Sequence, residues 1–271
     1  MSRRNRRRRS TEIGKLVAAA LLLLLCAIIV AGVAVWRWNA PAPVELTKDT
    51  LCPVGGPWAI TVVLLDASDD IPPVTKAEIQ TVLRDAARTI QKGELLELRA
   101  LDPRTPGGRI LFEKCNPGDG TDLSTLSANP DAAKRRWLSE FDRPLTETLA
   151  HLDASSSATS PLLATIQAIA VQRFGGAAAR ELRKRLIVVS DMIEHGPEYS
   201  QYKGDLSYGR FKKTATYKAT HTNLNGASVD FYYIQRIKPI LDSGAHIQFW
   251  LDWIADSSGT LGVAKKLQGG G

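Results

Sequence analysis

Twenty-one consecutive residues, Leu16 to Trp36, carry no charge and read LVAAALLLLLCAIIVAGVAVW. A helix needs about 20 apolar residues to cross the hydrocarbon core of a bilayer. This run therefore dictates one transmembrane helix before any other element is placed. Trp36 and Trp38 stand where an interfacial aromatic belt would lie, and Arg37 can extend its guanidinium to the headgroups. Ahead of the run, Arg3, Arg4, Arg6, Arg7, Arg8, Arg9 and Lys15 face a single acid, Glu12. The positive-inside rule holds that tail in the cytoplasm and exports the chain beyond the apolar run. The expected protein is a single-pass signal-anchor protein of a cell inner membrane, with its body in the periplasm. A cleaved signal peptide fits less well, because its apolar core is usually only about 7–15 residues long. The Ala40-Pro41-Ala42 sequence is also followed by Pro43. Cys26 lies mid-span behind Leu25, which does not suit a lipoprotein, and no twin-arginine export pattern follows the arginines.

The tail and Arg37 account for the whole formal net charge of +7, so the exported part is electrically balanced. The basic footprint that nucleic-acid binding requires is missing from it. The organisation reads as a basic tail (1–15), the transmembrane helix (16–36), a proline-stiffened linker (37–51) and one exported domain (52–268), closed by Gly269-Gly270-Gly271. The domain is long enough for one sizeable core. Cys52 and Cys115 are its only cysteines. An oxidising compartment favours a bridge between them, each being at the edge of a strand-like run; two free, buried thiols are the other reading.

Within the domain, strand-like and helix-like segments alternate. Trp58–Leu65 (WAITVVLL) is a continuous β-branched apolar run, the mark of a strand covered on both faces. Thr75–Lys92 follows as an amphipathic helix. Leu95–Leu101 and Arg109–Lys114 are joined closely enough for an antiparallel hairpin. Ala132–Leu152 contains a helix that Pro144 breaks or restarts. Pro161–Phe174 is a helix with Ser160 at the N-cap and Pro161 at the first helical position. Arg185–Val189 and Val229–Ile237 are further strands, and Ala245–Ile254 is a last helix rich in aromatics, with His246 on its surface. Such alternation implies a doubly wound, mostly parallel α/β sheet with helices on both faces.

Function in such sheets collects at the carboxyl ends of the strands. The first strand ends in Asp66-Ala67-Ser68-Asp69-Asp70 and the Arg185–Val189 strand in Ser190-Asp191, while Ser155–Ser160 supplies hydroxyls at a helix start. Carboxylates and hydroxyls from three segments form the oxygen-rich set that hard divalent cations prefer.

On these residues the chain resembles a von Willebrand factor A-type (vWA-like) domain over most of residues 55–260. The resemblance implies a doubly wound sheet with one antiparallel edge strand. It also implies a metal-ion-dependent adhesion site that follows D-x-S-x-S, with a Thr before a helix and an Asp after the fourth strand. Asp66 and Ser68 match the first two positions, and Asp70 stands where the second Ser belongs. Ser160 takes the place of the Thr, and Asp191 matches the final acid. Met192 follows it where the family often has Gly. The resemblance implies Mg²⁺ or another divalent cation on Asp66, Ser68, Asp70, Ser160 and Asp191, a protein partner that completes its coordination, and no catalysis. Otherwise Asp66 and Ser68 cap the following helix and Asp191 caps a loop.

The stretch from Glu194 to Phe211 is a long loop beside this site, and its Tyr199, Tyr202 and Tyr208 are candidate partner contacts. The other outcome is that the aromatics pack back on the body. His195 lies four residues beyond Asp191 and is read as a solvated loop residue. The alternative function is a phosphatase or phosphotransferase of the haloacid-dehalogenase type, which also places an Asp after its first strand. That chemistry wants D-x-D, and Ser68 fills the second position. No G-x-S-x-G elbow, phosphate-binding glycine loop or H-E-x-x-H pattern is present.

Overall fold

The computed structural model describes residues 3–39, 44–66, 72–123, 128–152, 157–235 and 241–267, with side chains from residue 14 onward. The chain divides into two units, Met1–Val44 and Glu45–Gly271. The first is helix α1, Arg3–Asn39. Its Gly14–Asn39 portion reaches a mean hydropathy of 3.1 with no residue buried, and among the described residues it is the one helix long and apolar enough to cross a membrane.

The second unit is built on β1, Ala59–Leu65, buried at all seven positions. Parallel neighbours flank it, β2 (Glu94–Ala100) on one side and β4 (Arg183–Ser190) on the other. β3 (Arg109–Cys115) pairs antiparallel with β2, while β5 (Ser228–Ile234) and β6 (Thr260–Leu267) extend the parallel sheet beyond β4. The order is β3-β2-β1-β4-β5-β6. This is the doubly wound, mostly parallel α/β fold with one antiparallel edge strand that the sequence predicts.

The two-residue period of β1 divides the core. Ile60, Val62 and Leu64 join Leu186 and Val188 of β4 on one face. Helix α5 (Leu162–Ile169, continued by a wider π-turn at Ala170–Phe174) and, after the short helices α6 (Tyr208–Phe211) and α7 (Ala215–Thr220), helix α8 (Ser243–Asp256) cover that face through Ile166, Ile169, Trp250 and Trp253. On the other face Val63, Leu65, Ile187 and Val189 meet Ile79, Val82 and Leu83 of α2 (Pro73–Arg88). Leu145 and Leu149 of a later helix complete that layer. This helix runs as α3 (Pro130–Arg136), a π-turn (Trp137–Asp142) and α4 (Arg143–Ala150). Pro144 stands just past the π-turn, and the backbone stays helical through Asp142 and Arg143, so the proline neither breaks nor restarts the helix. Cys52 and Cys115 form a disulfide, as an oxidising compartment favours.

β6 is absent from the sequence reading. Only Leu267 of its eight residues is buried, so it carries no apolar run. Partner geometry specifies it: Asp230 of β5 accepts from Val263 N at 2.8 Å, and a Cβ at Gly262 would run into that carboxylate. Ser68, Asp70 and the terminal glycines lie outside the described residues.

Candidate functional site

Strand order reverses between β1 and β4, and the crevice outside their carboxyl ends is where doubly wound sheets bind ligands. Leu65 pairs with Val189, and Asp66 N donates to Val189 O at 2.9 Å. Asp66 and Ser190 are thus the next residues on adjacent strands. By alternation both fall on the α5–α8 face, the face of Leu64 and Val188. Asp66 is 5% exposed, and its Oδ2 accepts hydrogen bonds from Ser190 Oγ at 2.9 Å and Ser160 Oγ at 2.8 Å. One carboxylate and two hydroxyls from three segments therefore meet at the switch point.

Ser160 reaches Asp66 by giving up the N-cap role expected of it. The cap position of α5 is Pro161, and no side chain from that position caps the helix. Glu194 does so from outside, its Oε2 accepting from Leu163 N at 2.8 Å. Burial pushes the Glu194 carboxyl up to about 8 against the pull of the Leu163 and Leu162 N–H groups, with a smaller push from the Asp66 charge. His195 is tied in by two main-chain bonds to Ser160, at 2.8 and 2.9 Å, and its Nδ1 lies 2.9 Å from Ser200 Oγ. It is a fixed wall of the site rather than the solvated loop residue that its sequence position suggests. Asp191 accepts from Ile193 N through Oδ1 at 2.9 Å, the loop-capping role that is its alternative reading.

Met192 adopts a left-handed backbone, φ 61°, which explains why glycine suits this position. Its N–H donates to Ser190 Oγ at 2.8 Å, and its carbonyl accepts from Trp250 Nε1 at 2.8 Å and lies 3.0 Å from His246 Nε2. His246 is therefore no surface residue. It is fully buried, its Nδ1 lies 3.0 Å from Tyr233 Oη, and burial pulls its imidazole down to about 4. Ser190, Glu194 and His246 are the residues around the site that sequence reasoning missed. The apolar stripe of α8 carried the signal for His246, whereas Ser190 follows only from the β1–β4 register.

The three tyrosines of the long loop part company. Tyr199 packs on Phe211 at a ring separation of 4.8 Å, and burial pushes its hydroxyl up to about 12. Tyr208 donates to Asp256 at 2.8 Å, alongside Tyr217 at 2.6 Å and Lys212 at 2.7 Å. Burial raises the Asp256 carboxyl, but these three donors outweigh it and bring the group to about 2. Tyr202 is 38% exposed, with its ring edge-on to His195 at 5.1 Å. It is the tyrosine at the rim of the Asp66–Ser160 site.

Hard oxygen donors of this kind suit a divalent cation in chemical type. Among the described residues no group of three or more carboxylate, imidazole or thiol side chains forms. Among the described residues, the oxygen groups that meet are the Asp66 carboxylate and the Ser160 and Ser190 hydroxyls.

No protein-family model matches the chain, and no curated protein sequence does. Among solved structures, the chain is similar to the SpRpn10 VWA domain at 12% identity and a TM-score of 0.38, over 78% of this chain and 89% of that one. It is also similar to the conserved hypothetical protein BatB from Bacteroides thetaiotaomicron, at 12% identity and a TM-score of 0.41, over 78% and 91%. A third is an aerotolerance-related membrane protein from Bacteroides fragilis, at 10% identity and a TM-score of 0.35, over 78% and 92%. The fold is read from this chain's own sheet, whose order and single antiparallel edge strand make it vWA-like.

Proposed function

We propose that the chain is a membrane-anchored binding or assembly module. It engages another protein through the crevice at the carboxyl ends of β1 and β4. The observation that carries this reading is the convergence of Ser160 and Ser190 on the buried carboxylate of Asp66. Asp66, Ser160 and Asp191, with Ser68 and Asp70 shortly after Asp66 in sequence, would hold Mg²⁺ or a similar cation. When bound, the ion supplies positive charge that a partner's acidic side chain can meet. The chain's own groups do the remainder: Ser190 orients Asp66, His195 fixes Ser160, and Tyr202 offers apolar contact at the rim, with Tyr199 and Tyr208 behind it. The N-terminus lies in the cytoplasm and the second unit in the periplasm, as the arginine tail before the apolar helix favours.

Capture of partners by the full-length protein, with Mg²⁺ and with chelator, tests the site. Loss of the captured protein both on chelation and in Asp66→Ala supports the reading. Capture insensitive to both sinks it, as does phosphatase turnover that Asp66→Asn abolishes. A reporter fused after Gly271 tests the topology, and activity in the cytoplasm would reverse it.

A further inference from the structure

A groove of about 370 Å³ opens beside the candidate site, between the β2–β3 turn and the segment leading into α5. Leu101, Pro103 and Ala158 form its apolar walls, and Asp102, Arg104, Arg109 and Ser157 supply its polar side chains. It shares both of its segments with the site. Leu101 N donates to Leu65 O at 2.8 Å, one residue before Asp66, and Ser157 stands three residues before Ser160. Asp102 accepts from the Arg104 backbone N at 3.0 Å and from its guanidinium through Nε at 3.2 Å and Nη2 at 3.5 Å, while the Arg104 side chain remains 88% exposed. Arg109 is exposed at the start of β3, and no ion pair of it occurs among the described residues. Among the described residues that line it, two guanidinium groups stand against one carboxylate, a positive balance.

We infer that the groove seats a second acidic side chain of the protein segment whose first acidic side chain engages the Asp66 site. The inference rests on the binding role proposed above and specifies the partner: a segment with closely spaced Glu or Asp residues. Guanidinium groups recognise carboxylates through paired, charge-assisted hydrogen bonds. The apolar walls favour a glutamate stem over a bare inorganic anion. Continuity of the groove with Asp66 through β1–β2 and the α5 entry puts both contacts within one short peptide.

The test uses the full-length chain in a neutral detergent with millimolar Mg²⁺ and two blocked tripeptides, one of three glutamates and one with a single glutamate between glycines. Titration calorimetry should show the first binding about fivefold or more tighter than the second. The double substitution Arg104→Glu, Arg109→Glu should erase that advantage and leave the single-glutamate affinity unchanged. Asp66→Ala should abolish single-glutamate binding while sparing a salt-sensitive remainder for the triple. Equal affinity of the two peptides, no binding of either, or an advantage that survives the arginine substitutions overturns the groove. Inorganic phosphate that displaces the triple peptide at lower concentration overturns the choice of an acidic protein segment. Single-glutamate binding that Asp66→Ala leaves intact overturns the Asp66 reading instead, so the two failures are told apart.

Discussion

The backbone N–H of Leu163, in the first turn of α5, donates to Oε2 of Glu194 at 2.8 Å, across 31 residues of sequence. A buried acid thereby replaces the local serine cap, and burial raises its carboxyl from the ordinary 4.5 to about 8. Between those two values the folded state holds a proton that the unfolded chain has released, so stability falls as pH rises. Each unit of pH corresponds to about 1.4 kcal/mol. Glu194→Gln keeps an oxygen for Leu163 and cannot ionise. Thermal melts of the full-length protein, followed by tryptophan fluorescence, should decline from pH 6.5 to 8 in the wild type and lose that decline in the variant. An unchanged slope would show that Glu194 does not titrate as its surroundings dictate.

His246 acts with the opposite sign. Burial lowers it from 6.5 to about 4, so on acidification the unfolded chain takes up a proton that the folded state refuses. Its stability contribution is complete above pH 6.5 and is lost as pH falls towards 4. From pH 4.5 to 6.5 the slopes of His246 and Glu194 cancel. The Glu194→Gln variant should therefore expose a limb in which stability climbs with pH over that window, and adding His246→Gln should flatten it again. If the single variant shows no such limb, the imidazole is protonated in the fold.

How far the sequence carried these features depends on whether their causes are local. The continuous apolar run of β1 and its strand-helix alternation are local, and the sheet follows from them. β6 is not: its Gly262 and Val263 answer to the carboxylate of Asp230, about 30 residues earlier, and nothing in the segment TLGVAKKL announces burial. Ser160 fits the local capping rule, but its hydroxyl goes to Asp66, 94 residues away. His246 was legible after all. With Phe249, Trp250 and Trp253 it falls on one helical stripe, and only its polar residue type hid the periodicity. Asp66 and Asp191 were found at the strand ends, while Ser190 needed the β1–β4 register, which sequence cannot supply.

Both serines donate to the same oxygen of a buried carboxylate, and either substitution removes one of those buried hydrogen bonds. Ser160→Ala should destabilise the protein by about 1–3 kcal/mol. Ser190→Ala should cost more, because Ser190 Oγ also accepts the N–H of Met192. Because the two share Asp66, the double variant should depart from the sum of the singles. Chemical denaturation measures all three. Equal single effects would mean that the Met192 contact contributes nothing.

The Cys52–Cys115 bridge spans a sequence separation of 63. Chain-entropy reasoning puts the stabilisation from closing a loop of that length at about 4 kcal/mol. Cys52→Ala together with Cys115→Ala should lower stability on that scale, and adding a reductant to the double variant should cause no further loss. Free alkylation of both thiols in folded, membrane-inserted wild-type protein would contradict the pairing.

Met192 sets two effects against each other. Its φ of 61° puts a side-chain-bearing residue in the left-handed region, at a penalty of about 1–2 kcal/mol that glycine avoids. Its side chain, however, is 1% exposed and packs in the α5–α8 core layer, and deleting a buried methionine to alanine typically costs about 2–5 kcal/mol. Packing is the larger effect, so both Met192→Ala and Met192→Gly should be less stable than the wild type. The backbone effect then shows in their order. Alanine keeps the left-handed strain and has already lost most of the packing, whereas glycine relieves the strain. Met192→Gly should therefore be the more stable of the two by about 1 kcal/mol, the reverse of the usual ranking of alanine over glycine. Urea denaturation of the two full-length variants gives the difference directly. If alanine is the more stable, the hydrogen bonds to Ser190, Trp250 and His246 do not hold residue 192 in the left-handed conformation once the methionine side chain is gone.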